Sequence, residues 1–166
     1  MNAPGADWEA ENEEMTLLLG HIVRKWTDVE LALRSIAAML VNSPHANTIV
    51  AGRSAGDLRR MCSALSKVHP LVAEDSANVL SSVLKRVDKA GETRNHFVHG
   101  IWSVNAESMA MLALRSRYWK VDLEPKDITA EELKRFLDEI SEIFVDLIHW
   151  IPSDLVRADP LRVAEG

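Results

Sequence analysis

The sequence predicts an all-α protein, an antiparallel four-helix bundle with a small β-hairpin between its third and fourth helices. Three observations predict it. Met15, Leu19, Ile22, Trp26, Val29, Leu33, Ile36 and Leu40 follow one another at alternating spacings of four and three, the seam of a helix packed along its length. Leu133, Phe136, Ile140, Ile143, Leu147 and Trp150 repeat that spacing near the other end of the chain. With 7 Gly and 6 Pro in 166 residues, the chain has too few turn formers for an all-β fold, and short connections between helices favour antiparallel neighbours.

The first helix is expected over about 7–41, with Asp7 as N-cap, a length of roughly 50 Å. Ser43-Pro44 is a restart signal, Ser capping and Pro at the first helical position. It opens a second helix over about 44–68, weakened by Gly52 and Gly56 and ended by His69-Pro70. The third helix runs from about 71 or 76 to 99, and Gly100 sits where a left-handed terminating residue belongs. Ile101–Val104, the turn-like Asn105–Ser108 and Met109–Arg115 read as the hairpin. The fourth helix has the clearest start. Thr129-Ala130-Glu131-Glu132 is a capping box, and Ile128 and Leu133 occupy the hydrophobic-staple positions. Pro152 stops it. The chain therefore divides into a disordered start (1–6), one helical-bundle domain (7–151) and a C-terminal tail (152–166).

A chain of this length buries enough surface for a core without covalent staples. The single cysteine, Cys62, makes no internal disulfide and no cysteine-based zinc site. The N-terminal stretch lacks the basic-then-apolar order of a signal peptide and no apolar run spans a membrane, so the expectation is a cytoplasmic protein without a membrane partner. Net charge is −6, which argues against indiscriminate coating of nucleic acid. The balance is uneven, however: −4 over residues 1–51, +3 over 52–99 and −5 over 100–166. Only the middle third, which includes Arg86 and Lys89, invites a polyanion.

The informative constellation closes the third helix: Arg94-Asn95-His96-Phe97-Val98-His99-Gly100-Ile101-Trp102. On a wheel of about 100° per residue, Arg94 falls in the middle of the apolar face formed by Leu80, Val83, Val87, Ala90 and Val98. Asn95 and His99 lie at the rim, and His96 faces away. A cation on a core stripe costs several kcal/mol, on the order of the buried-charge penalty, unless it is paired or opens into a polar cleft. Glu30, beside the first seam, is the expected partner. Arg, Asn and His converging at a helix end make a sensible anion site: the fork binds phosphate, the amide donates and imidazole titrates near neutrality. The same residues also admit a purely structural reading, in which His99 complements the helix dipole and an Arg–Glu pair fixes register.

Arg94 to His99 fits the Arg-x4-His signature of the HEPN superfamily, in which a polar residue, often Asn, follows the arginine. Trp26 and Glu30 in a long first helix, and His99-Gly100-Ile101-Trp102 leading out of the motif, extend the likeness, so that the chain resembles bacterial HEPN-type proteins over about residues 15–150. The resemblance implies a helical bundle that forms a homodimer with two motifs facing each other. It also implies a metal-independent endoribonuclease, in which the RNA 2′-hydroxyl attacks the adjacent phosphate and leaves a 2′,3′-cyclic phosphate. Arg94 and His99 would be the catalytic pair, Asn95 the polar supporter and Glu30 a supporting residue, with Arg86 and Lys89 guiding RNA. No cofactor is implied. A partner of antitoxin or nucleotidyltransferase type would act in trans. Other members of the superfamily are non-catalytic dimeric modules that bind a nucleotide or a protein, and that reading stands as the alternative.

Nothing else in the sequence carries a competing chemistry. No Gly-x-Gly-x-x-Gly, P-loop or Gly-x-Ser-x-Gly motif occurs. His96 and His99 diverge by about 60° on the wheel and lack an acid on their face, which disfavours a metal. The charges of the fourth helix read as a solvated face. Trp8, Trp102, Trp119 and Trp150 read as core or interface fillers rather than base-stacking platforms.

Overall fold

The long seam folds as a single helix, because alternating spacings of three and four keep its apolar residues on one stripe. A computed structural model describes residues 5–104, 111–117 and 120–151, with the side chains of 12–100, 102 and 128–151. Its first helix, α1, spans Gly5–Val41 and so starts two residues before the expected cap. Met15, Ile22, Trp26, Val29, Leu33, Ile36 and Leu40 are all buried. Leu18 takes the buried place expected of Leu19, and Ala32 and Ala37 widen the stripe. A straight helix of 3.6 residues per turn drifts from a 3.5-residue seam, which brings neighbouring positions inward. Asn42, with φ at 47°, ends the helix in the left-handed region.

The second expected helix is instead two, which corrects the count from four helices to five among the described residues. They are α2, Ala46–Val50, and α3, Ala55–Leu65. The break is chemical. Gly52 takes φ of +69°, open to it because it lacks a Cβ. Ser54 then caps α3, accepting from the Asp57 amide at 3.2 Å. Ser43 does not cap a helix at Pro44; its hydroxyl accepts from the His45 amide at 3.2 Å, and α2 starts beyond it.

Two longer helices follow, α4 at Glu74–His99 and α5 at Ala130–Trp150. The capping box closes both ways: Glu132 N–H donates to Thr129 Oγ1 at 3.2 Å and Thr129 N–H to Glu132 Oε2 at 3.1 Å. Between α4 and α5 lies an antiparallel meander of β1 (Ile101–Val104), β2 (Met111–Arg117) and β3 (Lys120–Ile128), in that order. β1 and β2 are the two arms of the expected hairpin, its expected turn lying outside the described residues. β3 is an addition that the sequence reading does not contain. The β2–β3 register slips, from Ala113 opposite Lys126 to Arg115 opposite Asp122. Pro125 lies in the longer arm of that slip and has no N–H to give the ladder. The fold is predominantly helical all the same, and none of its described helices is long and apolar enough to cross a membrane. The expected tail over 152–166 lies outside the described residues.

Chain packing groups the residues into two compact units. The first contains residues 1–25 and 90–140. Its core includes Met15, Leu18, Ile22, Phe97, Leu133 and Phe136, and the Phe97 and Phe136 rings meet edge to face at 5.3 Å. On its surface Lys134 reaches Glu14 at 2.7 Å, and that carboxylate holds the ammonium above its ordinary range. The second unit contains residues 26–89 and, of the described residues beyond them, 141–151. Leu33, Ile36, Leu58, Leu80, Ile143 and Leu147 are fully buried there. The indole of Trp150 donates to the Ser76 carbonyl at 2.7 Å. Cys62 Sγ lies 3.5 Å from the Leu33 carbonyl, and burial pushes its thiol up to about 12.

Two stability predictions follow from these contacts. Thr129→Ala removes one half of the capping box and should cost about 1 kcal/mol, read as a lower urea midpoint with an unchanged slope. Folding keeps the Cys62 thiol protonated, so its contribution is fully present below pH 9, the ordinary thiol value, and is lost as pH rises toward 12. The stability gap between Cys62→Val and the native protein should therefore shift in favour of the variant between pH 8 and pH 11, measured by urea denaturation at each pH.

Candidate active site

The last two turns of α4 gather the residues singled out by the sequence. Arg94 is half-buried, while Asn95 and His99 are exposed, the arrangement expected of a cation on the core stripe with its neighbours at the rim. Nη1 of Arg94 lies 3.1 Å from Asn95 Oδ1 and 3.2 Å from His99 Nε2. A guanidinium donates only. A hydrogen bond in this contact uses the lone pair of His99 Nε2, that is, the tautomer carrying its proton on Nδ1. Neither side chain that Arg94 contacts is a carboxylate, so its positive charge is held in place without being cancelled. Its Nε is buried without a hydrogen-bond partner. An unsatisfied buried donor costs on the order of 1–3 kcal/mol.

The helix end itself is closely determined. The Gly100 amide donates to the His96 carbonyl at 3.0 Å. The Trp102 indole donates to the Phe97 carbonyl at 2.8 Å. His96 turns its ring toward Phe97, with centroids 6.0 Å apart and planes tilted by 51°. The sequence reading treats Trp102 as a filler. Its specific acceptor was hidden because nothing in a residue's type says which carbonyl an indole will reach.

The supporting residues are placed differently. Glu30 takes a hydrogen bond from the Trp26 indole one turn earlier on α1, at 2.9 Å, where the sequence suggests Arg94 as its partner. Arg86 is clasped by two carboxylates of α5, Asp146 and Glu142, the latter at 3.2 Å. Its charge is thus largely spent inside the second unit. Lys89 lies on the exposed face of α4. Other cations of the basic middle third are similarly engaged: Arg59 with Asp88 at 3.0 Å, and Arg60 with Asp57 at 2.6 Å. The Ser54 hydroxyl, then Arg60, hold the Asp57 carboxyl below its ordinary range. Among the described residues no group of three or more His, Cys, Asp or Glu is arranged to hold a metal ion.

No family model, curated protein or solved structure matches the chain.

The buried, unpartnered Nε separates the functional and structural readings of Arg94. A residue kept for stability would be costly to replace. Arg94→Met preserves the apolar stem, removes the orphaned donor and forfeits only bonds to exposed side chains. Its unfolding free energy should be unchanged or raised by up to about 1 kcal/mol. A loss above about 2 kcal/mol in urea denaturation would mark Arg94 as a structural residue.

Proposed function

We propose that the protein is a HEPN-like, metal-independent endoribonuclease whose reacting groups are Arg94, Asn95 and His99. The observation that carries this reading is the approach of Asn95 and His99 to within 3.2 Å of one guanidinium nitrogen of Arg94. They meet at an exposed helix end, with the charge of Arg94 left uncancelled by its partners. Those parts suit a phosphodiester. The guanidinium stabilises the charge that builds on the non-bridging oxygens as phosphorus becomes five-coordinate. The lone pair of His99 Nε2 accepts the proton of the 2′-hydroxyl as its oxygen attacks. The P–O5′ bond breaks, the 5′-oxygen takes a proton from an imidazolium, and the products are a 2′,3′-cyclic phosphate and a 5′-hydroxyl. A homodimer supplies the two imidazoles that this acid–base division needs.

In this reading the Arg94–His99 contact is the resting state. An incoming phosphate competes for Nη1, draws the guanidinium to itself and releases Nε2 to act as base. The same contact favours the second reading, a non-catalytic dimeric module. A lone pair already engaged by arginine is unavailable for proton transfer wherever no ligand displaces it.

Incubation with oligoribonucleotides in EDTA distinguishes the two. Cleavage to cyclic-phosphate ends is expected, with losses of at least about 100-fold in Arg94→Ala and His99→Ala and a smaller loss in Asn95→Ala. Cleavage that survives both of the first two substitutions would remove these residues from the site. A folded protein that binds nucleotide without cutting RNA would establish the module instead.

A further inference from the structure

We propose that Trp102 is the positioning residue of this site, its indole fixing the turn of α4 that carries His99; the proposal rests on the catalytic reading of Arg94 and His99. The last four carbonyls of an α-helix have no partner within the helix. In α4 two of them are satisfied from beyond its end. Gly100 N–H takes the His96 carbonyl at 3.0 Å, and Trp102 Nε1–H takes the Phe97 carbonyl at 2.8 Å. The first is the local closure that a terminating glycine provides. The second is of another kind, because its donor belongs to a strand. Trp102 is held in β1, opposite Ala113 of β2.

Its indole therefore ties the meander to the helix end. Phe97 is itself fixed from its other side, where its ring meets Phe136 of α5 edge to face. Only Val98, His99, Gly100 and Ile101 separate these two anchors. His99 is exposed, and no packing of its own holds its ring. The ring's single described contact is with Arg94 Nη1 at 3.2 Å. Helix ends fray, and a displacement of about 1 Å in a reacting group can cost on the order of 100-fold in rate. The indole N–H is the group that suppresses such fraying here. Because Arg94 and Asn95 stand about one turn further back on α4, the clamp acts on His99 and leaves the phosphate-gripping groups where they are.

This selectivity makes the proposal testable in the full-length protein. Trp102→Phe keeps an aromatic ring while removing the N–H together with part of the indole. On an oligoribonucleotide substrate the variant should lose about 10- to 100-fold in kcat, with KM within about twofold of the native value. The imidazole of His99, followed by nitrogen-15 NMR, supplies a readout independent of activity. Native protein should show Nε2 as an unprotonated acceptor, and Trp102→Phe should show the averaged signal of an imidazole exchanging between tautomers. A native His99 signal in Trp102→Phe would overturn the inference, as would a loss that falls entirely on KM. If the native protein cuts no RNA, the catalytic reading fails on its own, while the imidazole signal still decides whether Trp102 positions His99.

Discussion

A guanidinium donates and never accepts, and this constraint organises the end of α4. Because Arg94 can only give protons, each atom set against it must be an acceptor: the amide oxygen of Asn95 and the bare nitrogen of His99. One cation thus orients an amide and favours one tautomer of an imidazole. The cost is visible in the same side chain, where Nε is buried with nothing to bond. A sequence under pressure only for stability has better choices for a half-buried position on a core stripe, since a hydrocarbon chain of similar volume brings no unsatisfied donor with it.

The contrast with the other arginines sharpens this point. Arg59, Arg60 and Arg86 each face a carboxylate, and Arg86 faces two. Part of the positive charge in the middle third of the sequence is thereby met locally, by Asp88, Asp57 and two carboxylates of α5. Formal charge counted along a chain overstates the field that a polyanion meets, because surface and half-buried pairs cancel before any ligand arrives. Arg94 differs from these three because neither of its described side-chain partners, Asn95 and His99, is a carboxylate.

Features written into short stretches of sequence were legible, and features set by distant partners were not. The seam of α1 and the capping box of α5 depend on residues three or four apart, so periodicity and residue type suffice to find them. The same local geometry placed Arg94 on the apolar side of its helix and Asn95 and His99 at its rim. Gly52 and Gly56 suggest only a weakening of one helix, because glycine alone does not reveal whether its φ turns positive; the break between α2 and α3 comes with the positive φ of Gly52 and the Ser54 cap. β3 escaped notice because Lys120–Ile128 mixes charges with Pro125 and lacks a clean alternation. The position of Glu30 beside the seam does not announce that the indole of Trp26, four residues away on the same helix, donates to it. The role of Trp102 depends on a carbonyl across a helix end, which no property of tryptophan announces.

The lone thiol of Cys62 has a consequence of its own. It is fully enclosed within the second unit and hydrogen-bonded to the backbone of α1, so an alkylating reagent can reach it only after that unit has opened. No other sulfhydryl competes for the reagent. The rate of labelling under native conditions therefore clocks the breathing of one half of the molecule, with no probe to be engineered in. Set beside amide exchange in α4 and α5, it would tell whether the scaffold opens as a whole or loosens around α3 while the end of α4 stays closed.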